Sequence, residues 1–199
     1  KSLGFDIEVW HWEAVKIAYG TVAYFYAGSN ARIEPGVPDL SGRKVHPKPA
    51  LKREPGVIEA EDLKVKAKTA GDVPNQDMLS FGDAWSAGRQ LWWVVHEPGA
   101  KLDLELPVKQ SAAYALSAAF TKAGDYGIVA LELDGKPLGE EIDLYAPFPS
   151  VIHTGEMPLG KVALDEGAHT LSIILKGKNA QSSNYLVGMD WLKLSLRAQ

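Results

Sequence analysis

Apolar and polar residues alternate one for one along AKLDLELPV (Ala100–Val108). Leu102, Leu104 and Leu106 fall on one side, and Lys101, Asp103 and Glu105 on the other. A side-chain period of two marks a β-strand with one buried face. Other segments are β-like as well: YALSAAF (Tyr114–Phe120), GIVALELDGKPLG (Gly127–Gly139), GAHTLSIILKG (Gly167–Gly177) and YLVGMDWLKLSL (Tyr185–Leu196). Within the second of these, Asp134-Gly135 is a hairpin signal, because both positions of a two-residue turn must accept positive φ. No long amphipathic helix, helical repeat, low-complexity tract or heptad pattern interrupts the series. From Val57 onward the pattern predicts an all-β fold, an antiparallel β-sandwich of two sheets.

The chain before Val57 reads differently. GFDIEVWHW (Gly4–Trp12) and YGTVAYFYA (Tyr19–Ala27) are rich in aromatic and β-branched residues in strand-like order. Two strands alone are marginal. Residues 1–33 are therefore expected to be the last strands of an incomplete β domain that needs a partner sheet, from this chain or from a part upstream. Residues 34–56 contain Pro35, Pro38, Pro47, Pro49 and Pro55. Proline fixes φ and removes a backbone donor, so this stretch predicts a semi-rigid linker, with the sandwich occupying 57–199. The first residue is Lys1 and no signal-peptide pattern follows. The expectation is a piece of a longer chain, with any targeting information upstream.

Composition narrows the function classes. Of 199 residues, 46% are apolar and 23% charged, as in soluble globular proteins, and the formal net charge is −4. The basic residues are scattered, which gives no nucleic-acid footprint. No window approaches the roughly 18–20 continuous apolar residues of a membrane span. The absence of cysteine removes disulfides, thiolate metal sites and cysteine nucleophiles. Phosphate-binding glycine loops, a Gly-x-Ser-x-Gly elbow and a His-Glu-x-x-His motif are missing, and the five histidines lack metal-ligand spacing. His169 falls in register with Leu171, Ile173 and Leu175, as a structural residue near a strand end.

The carboxylates carry more information. In EPGVIEAEDL (Glu54–Leu63), Glu59 and Glu61 stand two apart, so on a continuous strand both leave one face. Asp190 shares the parity of Leu192, Leu194 and Leu196, which puts it on the apolar face of the last strand. A buried carboxylate needs a basic partner, hydrogen-bond donors or a metal. If the first and last strands are neighbours, Asp190 approaches Glu59 or Glu61, and an oxygen-only set suits Ca2+. The alternatives are a salt bridge or an exposed strand end.

Aromatic residues are the second signal. FGDAWSAGRQLWW places Phe81, Trp85, Trp92 and Trp93 in one Gly- and Ser-containing region. Sugar rings pack C–H faces on aromatic rings while their hydroxyls seek polar partners, so such a region is a candidate carbohydrate platform. Trp92 and Trp93 are adjacent, and on a strand one of them must face the core. Asn179 and Asn184, before the last strand, and Tyr126 in KAGDYGIV are loop candidates for hydroxyl contacts; the asparagines serve equally as turn residues.

VIEAEDL, AYALSAAF, ALELDGKPLG, LDEGAHTLSIIL and GMDWLKL, in that order from about Val57 to Leu196, resemble the galactose-binding-like β-sandwich, more specifically carbohydrate-binding modules of the family 6 and family 35 type. The resemblance implies a jelly-roll sandwich with a structural calcium held by Glu59, Glu61 and Asp190. It also implies sugar contacts from loop aromatics and an asparagine, for which Trp92, Trp93, Tyr126 and Asn184 are the candidates. Residues 1–33 resemble the C-terminal end of the catalytic domain of a bacterial glycoside hydrolase family, formerly a domain of unknown function, that acts on furanosides and is built of jelly rolls. Glu8 falls in a strand near that family's active site.

These readings make the chain a non-catalytic carbohydrate-binding or accessory module from a secreted or periplasmic glycoside-hydrolase-like protein. Its expected partners are carbohydrate and a missing upstream catalytic domain or another subunit. One alternative is a purely structural module whose tryptophans are buried in an interface. The other is a hydrolase in its own right, which needs a second carboxylate about 5 to 10 Å from Glu8.

Overall fold

The computed structural model describes residues 51–196. The expected strands of 1–33, Glu8 and most of the linker lie outside the described residues.

Twelve strands follow in chain order: β1 (Val57–Glu59), β2 (Lys64–Lys68), β3 (Asn75–Asp77), β4 (Arg89–Trp93), β5 (Lys101–Val108) and β6 (Ala112–Ala123), then β7 (Gly127–Leu133), β8 (Lys136–Asp143), β9 (Val151–His153), β10 (Met157–Leu164), β11 (Gly167–Lys178) and β12 (Val187–Leu196). They form two sheets. The seven-stranded sheet runs β10-β6-β12-β4-β3, with β1 also on β12 and β9 also on β6; the five-stranded sheet runs β2-β5-β11-β7-β8. Paired strands in both sheets are antiparallel. The architecture is the antiparallel β-sandwich that the alternating pattern predicts, with the jelly-roll form that the resemblance implied.

The core follows from that alternation. Leu102, Leu104 and Leu106 of β5 meet Leu171, Ile173 and Leu175 of β11, and all six are fully buried. Across the sandwich, Leu116, Ala118 and Phe120 of β6 and Val187, Met189 and Leu192 of β12 complete the layer. Fully burying a Leu, Ile or Phe side chain contributes about 1.5–3 kcal/mol, so this interior is where the stability originates. The β7–β8 hairpin closes through Asp134 (φ 49) and Gly135 (φ 76), the positive-φ pair that Asp-Gly signals.

Two local features depart from simple alternation, and both bear on the candidate site. The first strand stops at Glu59, and a single 3-10 turn, Ala60–Asp62, follows. Glu59 and Glu61 therefore do not share a strand face as a continuous strand would require. In β12 the pairing with β6 shifts register between Met189 and Trp191, leaving Asp190 as the extra residue of a β-bulge. The bulge resets the alternation, so Val187, Met189, Leu192 and Leu194 pack on the core while Asp190 turns to the outer side of the sheet. Its expected place beside Leu192 on the apolar face is corrected accordingly.

Candidate functional site

The first and last strands are neighbours: Ile58 pairs with Leu192 and Glu59 with Trp191. This pairing brings Glu59, Glu61 and Asp190 into one electrostatic neighbourhood. Asp190 is 0% exposed and Glu59 6%. Asp190 accepts at Oδ2 from the Ser86 backbone N–H (3.1 Å) and from His153 Nε2 (2.8 Å). The Gly155 N–H donates to His153 Nδ1, which keeps that nitrogen an acceptor and puts the ring proton on Nε2. His153 thus donates from Nε2 to Asp190, with its ring edge-on to Trp85.

Ser86 bridges the two carboxylates. Its backbone N–H serves Asp190, and its hydroxyl donates to Glu59 Oε1 at 2.8 Å. It sits on a turn, Ser86–Gly88, in which Ala87 takes a positive φ of 52°. The Ala87 N–H is anchored on the Lys52 carbonyl. Arg53 reaches the same Glu59 Oε1 at 3.2 Å, but its side chain is 64% exposed. An exposed pair of that kind is worth about 0–1 kcal/mol.

What is left over is one oxygen from each carboxylate. Glu59 Oε2, Glu61 Oε2 and Asp190 Oδ1 are buried without a hydrogen-bond partner. Burial pushes all three carboxyls up; repulsion from Asp190 adds to the rise of Glu59, that from Glu59, Asp62 and Asp190 to the rise of Glu61, which reaches about 7, and that from Glu54 to the rise of Asp190. Three hard oxygens short of a partner are the donor set that Ca2+ takes. Among the described residues, no three His, Asp or Glu side chains are already gathered closely enough to hold a metal ion. The chemistry of the donors fits a cation, although their positions do not already form a closed site.

The second candidate region is a groove of about 620 Å³ at the end of the sandwich where β6 meets β7, β8 meets β9 and β11 meets β12. Its apolar wall includes Trp92 from β4, Phe81 from the 3-10 turn Leu79–Phe81, and Tyr145 and Phe148 from the β8–β9 connection; its polar groups include Gln76, Asp125, Gln181 and Ser183. Phe148 is 89% exposed. The loops are tied to one another rather than loose. Ala146 N–H donates to the Ala123 carbonyl, Ser183 N–H to that of Gly124, and Ser182 Oγ to that of Tyr126. Behind the wall, Gln90 accepts from Thr121 Oγ1 and donates to Gln76 Oε1 and the Tyr126 hydroxyl. Gly188 on β12 leaves the space that Gln90 occupies: a Cβ there would lie 2.4 Å from Gln90 Oε1.

The sequence-derived sugar contacts divide. Trp92 is half-buried and lines the groove. Tyr126 lines it as well, although its ring is buried and its hydroxyl is engaged by Gln90. Trp93 is 0% exposed, lies in the core and donates its indole N–H to the Ala70 carbonyl. It offers no stacking surface, which corrects its assignment as a sugar contact. Asn184 is not among the lining residues; its Oδ1 accepts from the Tyr185 N–H and from His96 Nδ1. Its loop neighbours Gln181 and Ser183 reach the groove instead. Asn179 bonds Asp143. His169 pairs with Asp134 and with the Asp165 carbonyl, a structural role at the start of β11.

Ser86, Gln90, His153 and Gly188 had no signal in the pattern, because their importance comes from which strands become neighbours. Phe148 sits in an AlaProPheProSer stretch whose prolines mark a loop, and an aromatic between loop prolines is the cue that could have identified it.

No family model matches the chain, and no curated protein matches it. Among solved structures it is similar to part of a xanthan lyase from Paenibacillus, with 22% identity and a TM-score of 0.62; the match covers 77% of this chain and 14% of the lyase. It also aligns with a family 6 carbohydrate-binding module, at 15% identity and TM-score 0.45 over 74% of this chain and 99% of the module. A family 35 carbohydrate-binding module from an environmental isolate aligns at 10% identity and TM-score 0.45, over 70% of this chain and 91% of the module. The likeness to the lyase is one of fold, and this chain spans a small fraction of that enzyme's length.

Proposed function

We propose that the sandwich is a non-catalytic carbohydrate-binding module whose ligand site is the groove around Trp92, Phe81, Tyr145 and Phe148. The observation that carries this is the groove itself: aromatic faces open to solvent beside amide, hydroxyl and carboxylate groups, on loops already locked by backbone hydrogen bonds. A sugar loses less on binding to a preorganised surface than to a mobile one. Asp125 is the one carboxylate among the described lining residues, whereas a glycosidase needs two flanking the scissile bond. The module's place is accessory to a glycoside-hydrolase-like parent, outside the cell or in the periplasm. Among the described residues no helix is long and apolar enough to cross a membrane.

Within the same proposal, Glu59, Glu61 and Asp190 hold a structural Ca2+ through their partnerless oxygens. A bound Ca2+ would offset two of the three negative charges and link the turn after β1 to β12. Ser86 and His153 engage Glu59 Oε1 and Asp190 Oδ2, which leaves Glu59 Oε2 and Asp190 Oδ1 available to the ion.

The experiment is affinity electrophoresis and calorimetry of the chain across a broad glycan panel, with Trp92→Ala and Phe148→Ala as variants. Retardation on at least one glycan, lost or weakened about tenfold or more in both variants, supports the proposal. A purely structural module is favoured by the burial of Trp85, Trp93 and Trp191. It predicts no retardation anywhere on the panel.

A further inference from the structure

The groove has an electrostatic character that bears on which glycans it takes. Its described lining residues include no lysine, arginine or histidine, and their single charged side chain is Asp125. Asp125 lies in the tight connection between β6 and β7, half-buried, on the groove wall. No neighbouring side chain bonds its carboxylate, and burial pushes its ionisation upward. It therefore has acceptor capacity to spare in a partly dehydrated place. Hydroxyl donors meet that need, and a second carboxylate opposes it.

We infer that the groove selects neutral, hydroxyl-rich glycans and rejects uronate-containing ones, with Asp125 as the discriminating residue. The inference rests on the proposal that the groove binds sugar and adds the class of sugar to it. The physical reason is asymmetric. A neutral sugar can give two adjacent hydroxyls to one carboxylate, as charge-assisted hydrogen bonds. A uronate brings its own negative charge to the same wall, finds no cation among the described lining residues to pair with, and must shed its hydration to enter. Like charges a few ångströms apart near a protein surface are expected to cost a factor of about ten to a hundred in affinity. The chain's net charge of −4 acts in the same direction at longer range.

The test uses matched pairs that differ only in oxidation at C6: cellohexaose against the corresponding cellouronate, and β-1,4-mannohexaose against β-1,4-oligomannuronate. Each is titrated calorimetrically into the full chain and into Asp125→Asn, at low salt and at high salt. In any pair that binds, the neutral member is expected to bind at least tenfold more tightly. Asp125→Asn is expected to weaken the neutral member and to close most of the gap. Equal or tighter binding of the uronate overturns the inference while leaving the groove a sugar site. A gap that survives Asp125→Asn unchanged overturns the role of Asp125. If no member of either pair binds, and the wider panel is equally silent, the sugar-binding proposal falls and the inference with it.

Discussion

The five-stranded sheet and the seven-stranded sheet share one core and treat it differently. Along the β5–β11 ladder of the five-stranded sheet the apolar residues keep strict order: Leu104 faces Leu171, Leu102 faces Ile173, Leu106 and Leu175 are buried in line with them, and the polar residues point to the outer face. In the seven-stranded sheet the order breaks at Asp190, a carboxylate is buried at the break, and the outer face carries buried polar residues such as Gln90, Thr121 and Ser117. Glu59, Asp190 and the Trp92 wall of the groove belong to this second sheet, and Glu61 to the turn that follows its strand β1. One sheet supplies stability through regular burial. The other spends some of that stability on buried polar groups that position a site.

That contrast predicts how substitutions differ. The largest effect belongs to the regular sheet. Leu104→Ala is expected to cost about 2–5 kcal/mol in chemical denaturation, equally with calcium and with chelator, because it removes buried volume and touches no ligand site.

In the irregular sheet the cost depends on conditions. At a hundredfold excess of calcium over its dissociation constant, the wild-type chain should gain about 2.7 kcal/mol, or roughly 5–10 °C in Tm. Asp190→Asn should abolish that gain while changing stability in chelator little, since it also removes a desolvated charge. Calorimetric melts with and without calcium check both halves. An Asp190→Asn chain that still gains several degrees from calcium would place the ion elsewhere.

Gly188→Ala comes next. The new methyl group displaces Gln90 from Thr121, Gln76 and Tyr126, at about 1–3 kcal/mol. It should also weaken glycan binding, because two of those residues line the groove.

The smallest effect is a titration in the five-stranded sheet. His169 donates to Asp134 and to a backbone carbonyl, so its pKa is raised, chiefly by the hydrogen bond to Asp134. Burial pushes Asp134 up, but the bonds from His169 and Thr170 outweigh it and hold that carboxyl low. A raised imidazole contributes stability that is complete below its unfolded pKa, about 6.5, and is lost as pH rises through its folded value. The wild-type unfolding free energy should therefore fall as pH rises above about 6, by about a few tenths of a kcal/mol more than that of His169→Gln.

The same contrast explains what was legible in the sequence. The alternation of β5, the order of β11 and the Asp134-Gly135 turn are local, so the pattern placed them correctly. The carboxylates were identifiable as a set, because Asp190 is anomalous in an apolar strand and Glu59 and Glu61 stand close together. Their geometry was not, because a one-residue bulge reverses every side chain beyond it and a 3-10 turn ends the first strand early. Trp92 and Trp93 were separable only once β4 had a known orientation. Ser86, His153 and Gln90 act across strands 27 to 104 residues apart in sequence, and no local pattern encodes those meetings.

Amide chemical-shift mapping on the chain titrated with its best-binding glycan addresses the division of labour most directly. The account predicts that perturbations concentrate at residues 76–81, 123–126, 145–151 and 181–183, with the amides of β5 and β11 away from those loops unmoved. Perturbations centred on the outer face of the five-stranded sheet would contradict it.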